Sequence, residues 1–136
     1  MLLGIPLLIF PVIAYNILTF VTGIVWASEV IGVTMVSDAR WVLTVADLFL
    51  AATLVLLFVE ILKATRTGRS SIVDHGVSTM VFIVCLIEFL IVPQAATSVF
   101  FLMTVITLID VVAGFSVSIV AARRDFAVDH YPTGNF

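Results

Sequence analysis

Four long apolar stretches, separated by short polar segments, dominate the pattern of residues along this chain. Each is close to the roughly 20 apolar residues that a helix needs to cross the hydrocarbon core of a bilayer. The pattern therefore predicts an all-α, polytopic membrane protein, an antiparallel bundle of four transmembrane helices in one domain over residues 1–136. The predicted spans cover residues 3–27, 41–62, 76–93 and 98–122.

Helix-ending and charged residues set the limits of these spans. Pro93 ends the third span, and Arg123 and Arg124 end the fourth. The segments between and after the spans are a predicted outer loop at 28–40, a cytoplasmic loop at 63–75 and a cytoplasmic tail at 123–136.

The basic residues predict how the chain is oriented, because loops that stay in the cytoplasm are enriched in Lys and Arg. Five of the six basic residues fall on one side of the predicted bundle: Lys63, Arg66, Arg69, Arg123 and Arg124. That side is expected to be cytoplasmic. Both termini then face the cytoplasm, and the chain is a multi-pass protein of a cytoplasmic (bacterial inner) membrane.

The end of the first span allows an alternative. Val25 and Ala27 have the small-residue spacing of a signal-peptide cleavage site. The missing basic segment before the apolar stretch, and the length of that stretch, favour a retained helix instead. Trp26 and Trp41 then flank the outer loop, where interfacial aromatic residues are expected.

The composition excludes several classes of function. Hydrophobic residues make up 62% of the chain and charged residues 11%, and the formal net charge is -3. Six basic residues are too few for the positive surface that binds nucleic acid. The single cysteine, Cys85, can form neither an intrachain disulfide nor a cysteine-based zinc site.

Three polar residues are predicted to lie deep in the membrane. Glu88 is about twelve residues into the third span and Asp110 about twelve residues from the end of the fourth, so both would lie roughly 18 Å from the cytoplasmic ends. Asn16 of the first span is expected at a similar depth. Because ionisable groups inside spans are functional candidates by default, these three residues are the predicted ion- or proton-binding site.

Two carboxyl groups buried together are expected to share a proton, because desolvation and mutual repulsion both favour the protonated acid. Such a pair suits a small transport or ion-conducting protein. The alternative is a non-catalytic accessory or scaffold subunit of a larger membrane complex, in which the same groups form interhelical hydrogen bonds. In a third arrangement, a carboxylate meets a cation of another subunit, since this chain has no basic residue at the expected depth.

The other acidic residues of the spans lie nearer to the span ends. Glu60 precedes Lys63 by one turn, which predicts a local ion pair or a side chain that reaches water. Asp47 follows Arg40 by two turns, which predicts an ion pair or a water-filled outer vestibule.

A stripe of small residues marks one face of the fourth span. These residues follow Asp110 at four-residue intervals and are Gly114, Ser118 and Ala122. Gly23 lies on a similar face of the first span. Small residues let helices approach closely in membranes, so these positions are predicted to pack helices together. The expected partners are the lipid bilayer and either further copies of the chain or another membrane subunit.

The sequence gives no support for catalysis. It lacks the motifs of serine hydrolases, zinc proteases and phosphate-binding loops, and an intramembrane carboxyl dyad that activates water is a weaker alternative. The pairs Asp74-His75 and Asp129-His130 are expected in the cytoplasmic loop and tail, where adjacent residues seldom bind one metal ion. We therefore expect a protein without enzymatic activity, cofactor or metal.

Overall fold

The computed structural model describes residues 5–65 and 71–128, which form four α-helices and one two-stranded sheet. The helices are α1 (Ile9–Asn16), α2 (Val45–Ala64), α3 (Ser71–Ile91) and α4 (Ser98–Val128), and the strands are β1 (Glu29–Thr34) and β2 (Arg40–Thr44). A π-helical turn, Ile17–Thr22, extends α1, and a 3-10 turn, Pro93–Ala95, joins α3 to α4.

Three of the helices are long and apolar enough to cross a membrane, over Val45–Ala64, Val73–Ile91 and Ser98–Arg124. The prediction of long apolar helices is confirmed for these three. Helix α3 begins before the predicted start at residue 76, so the Asp74-His75 pair lies in a helix and not in a loop. Of the other predicted cytoplasmic residues, Arg66, Arg69 and the pair Asp129-His130 lie outside the described residues.

The first predicted span differs from the structure, because its helical part, Ile9–Thr22, is shorter than the roughly 20 residues of a straight transmembrane helix. Gly23 ends it in the left-handed conformation, with φ at 63°. The chain then folds back, and Trp26 stacks on Tyr15 with ring centroids 4.9 Å apart. Gly23 therefore ends the helical segment, and a Cβ atom there would meet no atom of the described residues within 4 Å.

The predicted outer loop contains a β-hairpin. Its strands are rich in β-branched residues and pair antiparallel, with Val33 opposite Trp41 and Thr34 opposite Arg40. The second strand includes residues 41–44 of the predicted second span, so α2 begins at Val45 instead of Trp41.

The short turn at Pro93–Ala95 makes α3 and α4 antiparallel neighbours, and it fixes which residues face each other. The thiol of Cys85 lies against the Thr107 hydroxyl, and His75 contacts Ser118. Helix α1 begins beside the end of α2 and carries Tyr15 to the α3–α4 turn. We call these two ends of the bundle the Lys63 end and the turn end.

Candidate functional site

A cluster of charged and polar side chains is buried where α2, α3 and α4 meet, toward the Lys63 end. It surrounds a cavity of about 10 Å³, which is enough for one water molecule. Five ionisable residues line this cavity, together with Ser78 and Gly114: Glu60, Lys63, Asp74, His75 and Asp110. The four ionisable residues other than Lys63 are each at most 8% exposed. We call this group the buried charged cluster.

Glu60 and Lys63 form an ion pair that also binds the backbone before α1. The Lys63 Nζ atom lies 2.9 Å from Glu60 Oε1, and the two side chains are 13% and 7% exposed. The Leu7 N–H donates to Glu60 Oε2 at 3.0 Å, and Lys63 Nζ donates to the Ile5 carbonyl at 3.0 Å. The predicted local pair is present, but the Glu60 side chain is buried rather than directed to water.

His75 packs against the small residues of α4. A hydrogen bond of 2.6 Å joins His75 Nε2 to the Ser118 hydroxyl. A Cβ atom on Gly114 would lie 2.5 Å from His75 Nδ1, so the imidazole occupies space that only glycine leaves open. The predicted small-residue stripe thus contacts a buried histidine at these two positions, whereas Ala122 at its end is exposed.

Asp110 connects the cluster across the three helices. Its carboxyl group interacts with the Ser78 hydroxyl of α3 and lies within electrostatic range of Glu60, Lys63 and His75. Although no basic residue was expected at the depth of Asp110, Lys63 at the end of α2 lies within electrostatic range of its carboxyl group.

Glu88 and Asp110 do not lie in one layer, contrary to the sequence-based prediction. Glu88 interacts with Asn16 of α1, and its Oε1 atom is the buried side-chain oxygen without a hydrogen-bond partner among the described residues. Asp110 instead faces Ser78, ten residues before Glu88, or about 15 Å along a helix. The turn at Pro93–Ala95, and not the inner helix ends, sets the register of α3 against α4.

Asp47 and Arg40, the predicted residues of an outer vestibule, each bind a different partner. The Asp47 carboxylate accepts hydrogen bonds from the Thr44 N–H at 2.9 Å and from the Thr44 hydroxyl at 2.7 Å, in a capping box that begins α2. Arg40 pairs with Glu29 across the hairpin at 2.7 Å. The spacing of Thr44 and Asp47 before an apolar run is itself the signature of such a cap.

The sequence-based prediction missed most of the buried charged cluster. His75, Ser78 and Cys85 are three and seven residues apart, which places them on one face of a helix. The spacing indicates a shared helix face only for a third helix that includes His75, and α3 does begin at Ser71. The contact of Lys63 with the Ile5 carbonyl, before α1, has no comparable signal in the sequence.

Aromatic residues close the turn end of the bundle. Tyr15 is completely buried, with its ring 4.8 Å from Phe100, and Trp26 lies 5.1 Å from Phe49. The Tyr15 hydroxyl donates to the Gln94 carbonyl at 3.1 Å and shares a 2.7 Å hydrogen bond with Thr97. Trp26 therefore belongs to this aromatic cluster, whereas Trp41 on β2 is 50% exposed.

The chemistry available to the buried charged cluster is proton exchange between carboxyl, imidazole and hydroxyl groups. Within residues 5–65 and 71–128, no three His, Cys, Asp or Glu side chains are arranged to hold a metal ion. Comparison with protein families, with characterised proteins and with solved structures gives no match to this chain.

Proposed function

We propose that this chain is a small multi-pass membrane protein that transports protons, with the buried charged cluster as its proton-binding site. The main support is that five ionisable side chains from three apolar helices surround one small cavity. Placing charged groups inside such a bundle is energetically unfavourable, and in membrane proteins these groups commonly mark ion or proton pathways.

A proton fits this site better than a metal cation does. The cavity of about 10 Å³ has room for one water molecule and none for a hydrated ion. The Lys63 ammonium group already lies 2.9 Å from Glu60, so an entering cation would meet a like charge in a poorly screened environment.

The surface of the helices supports insertion into a bilayer. Large apolar side chains of α2, α3 and α4 are exposed, among them Phe58, Leu90 and Ile119. Under the proposal these side chains face lipid in a cytoplasmic membrane. The Lys63 end, where α4 also continues to Arg123 and Arg124, then faces the cytoplasm, as do both termini.

Proton flux into liposomes that contain the purified protein tests this proposal. We expect Asp110→Asn to abolish flux, because the amide cannot bind and release the proton. Asp47→Asn is the matched control, since Asp47 is an exposed capping residue and its loss should leave flux unchanged. Equal flux through both variants, with helical content intact by circular dichroism, would contradict the assigned site.

A second candidate function is an accessory or scaffold subunit that binds further copies or another membrane subunit. The observation in its favour is that Glu60 and Lys63 bind backbone atoms of the segment before α1, which is a structural task. This function predicts that the folded wild-type protein gives no more proton flux than protein-free liposomes.

A further inference from the structure

One face of the β1–β2 hairpin consists of exposed apolar side chains. Val33 on β1 lies directly opposite Trp41 on β2. Ile31 lies opposite Leu43, two residues further along each strand, so the side chains of both pairs share one face of the sheet. Ile31, Val33 and Trp41 are 50%, 45% and 50% exposed. We call these four residues the apolar hairpin face.

The opposite face of the hairpin is polar. The Arg40 guanidinium group and the Glu29 carboxylate form an ion pair of 2.7 Å across the two strands. Both side chains lie over Gly32, where an added Cβ atom would contact the Glu29 carboxylate. Thr34, which pairs with Arg40, is exposed on the same face. Such a difference between faces is typical of an antiparallel sheet with one side in water and the other against an apolar environment.

The hairpin is fixed beside the start of the apolar helix α2. The Val45 N–H donates to the Ser28 carbonyl at 3.0 Å, and the Ala46 N–H donates to the Trp26 carbonyl at 2.9 Å. Strand β2 ends at Thr44 and α2 begins at the next residue, so no linker separates the hairpin from the helix. If α2 crosses a membrane, the hairpin lies at the level where the bilayer meets water.

We propose that the apolar hairpin face inserts into the interfacial region of the phospholipid bilayer, with Trp41 as its anchor. This inference rests on the proposed membrane crossing of α2 and does not depend on proton transport. A tryptophan ring has an apolar body and a polar N–H group, and it is enriched where lipid tails meet water. The apolar hairpin face carries no charge, so burial of apolar surface drives its insertion.

Lipid fits this face better than a second copy of the chain does. Four side chains are far fewer than the roughly 20–30 residues that each partner contributes to a stable protein interface. A bilayer requires no such area, because the crossing helices already hold the hairpin beside it. Leu48, in the first turn of α2, is 52% exposed, so exposed apolar residues continue from β2 into the helix that is proposed to face lipid.

Spin labels at neighbouring positions of β1 test which face meets lipid. Val33→Cys lies on the apolar hairpin face and Thr34→Cys on the polar face, and both positions are exposed. Each is labelled in a Cys85→Ala background and studied by electron spin resonance in phosphatidylcholine vesicles. The measurement compares relaxation by oxygen, which concentrates in lipid, with relaxation by a nickel chelate, which stays in water. We expect the oxygen-to-nickel accessibility ratio to be several-fold higher at residue 33 than at residue 34.

A label on α2 separates this inference from the membrane crossing itself. Leu54→Cys lies in the middle of α2 at a position that is 51% exposed, and its accessibility ratio should be the highest of the three. A Leu54 label that is open to the nickel chelate would overturn the crossing and the inference together. Equal ratios at residues 33 and 34, with the Leu54 label in lipid, would overturn only the insertion of the hairpin. Low accessibility to both reagents at residue 33 would mean that protein covers the face, and would also overturn it; spin–spin broadening would then identify a second copy.

A substitution pair tests the role of Trp41 as the anchor. Trp41→Gln should lower the accessibility ratio at residue 33 toward that at residue 34. Val42→Gln is the matched control, because Val42 pairs with Gly32 on the polar face, and it should leave the ratio unchanged. An unchanged ratio in the Trp41 variant, with helical content intact by circular dichroism, would overturn this role.

Discussion

The two ion pairs of the described residues have similar N–O distances but differ strongly in burial, so they are expected to differ in their effect on stability. The N–O distance is 2.9 Å for Lys63 with Glu60 and 2.7 Å for Arg40 with Glu29. The first pair is at most 13% exposed, whereas the side chains of the second are 67% and 45% exposed. Water screens the second pair, but the first has to be balanced by its own hydrogen bonds.

We therefore expect the two pairs to respond differently to loss of a carboxylate. Glu60→Gln leaves Lys63 buried beside a neutral group and should lower the free energy of unfolding by about 3–5 kcal/mol. Glu29→Gln should lower it by about 1 kcal/mol or less. Chemical unfolding in detergent, followed by circular dichroism, measures both. A similar small loss for the two variants would show that Glu60 is accessible to water.

Gly114 allows a second prediction, because its missing side chain leaves room for the His75 ring. Gly114→Ala would place a Cβ atom 2.5 Å from His75 Nδ1, and we expect destabilisation of about 1–3 kcal/mol from this overpacking. Gly76→Ala on α3 is the control, since a Cβ there meets nothing within 4 Å and alanine favours a helix. Thermal unfolding compares the two variants.

A second substitution distinguishes the His75 contact from a general effect on α4. If the imidazole causes the clash, the double variant Gly114→Ala/His75→Ala should be more stable than the sum of the two single effects predicts. If the losses of stability in the two single variants are additive in the double variant, the effect of Gly114→Ala does not come from a clash with His75.

At the scale of elements, the turn between α3 and α4 determines which residues of the two helices face each other. Its proline makes it recognisable in the sequence. Counting outward from Pro93–Ala95 places Asp110 ten residues further from the turn than Glu88, or about 15 Å along a helix. Equal distances from the inner ends do not place the two carboxyl groups in one layer, because α4 has 31 residues and α3 has 21, so their inner ends lie at different levels. Charge patterns indicate where a helix meets water, but they do not mark where its backbone hydrogen bonding ends.

Two further differences between the predicted and the observed elements are the early end of the first span and the β-hairpin. They depend on tertiary contacts, which a hydrophobic pattern does not predict. The apolar run of the first span continues through Gly23, yet the chain turns there because Trp26 can stack on Tyr15. The exposed valines and isoleucine of β1 are as apolar as residues of a span, so composition alone did not distinguish the hairpin from a loop or a helix.

The capping box at the start of α2 gives an element-scale prediction. Thr44→Ala removes the acceptor for the Asp47 N–H, and we expect a loss of about 1 kcal/mol with faster hydrogen exchange in the first turn of α2. Ser116→Ala is the matched control, because that hydroxyl binds only a carbonyl of its own helix. Faster exchange in α4 of the control would contradict the local origin of the effect.

At the scale of the whole molecule, the proposed crossings assign opposite sides of the membrane to the two ends of the bundle. In a Cys85→Ala background, Ser37→Cys in the hairpin and Ala96→Cys after the turn should react with an impermeant maleimide from outside. Thr65→Cys at the end of α2 should react only after the membrane is opened, because the Lys63 end is expected to be cytoplasmic. Labelling of all three from one side would contradict the crossings.

The three-residue turn at Pro93–Ala95 also determines where a chain of this fold can change in length. Adding or removing one residue between His75 and Ser118 rotates the following part of the helix by about 100°, so the cluster would lose its facing partners. The β1–β2 connection at 35–39 bears no such constraint, because its residues are exposed. Homologous chains that retain the buried charged cluster should therefore differ in length in the hairpin and keep the α3–α4 segment constant.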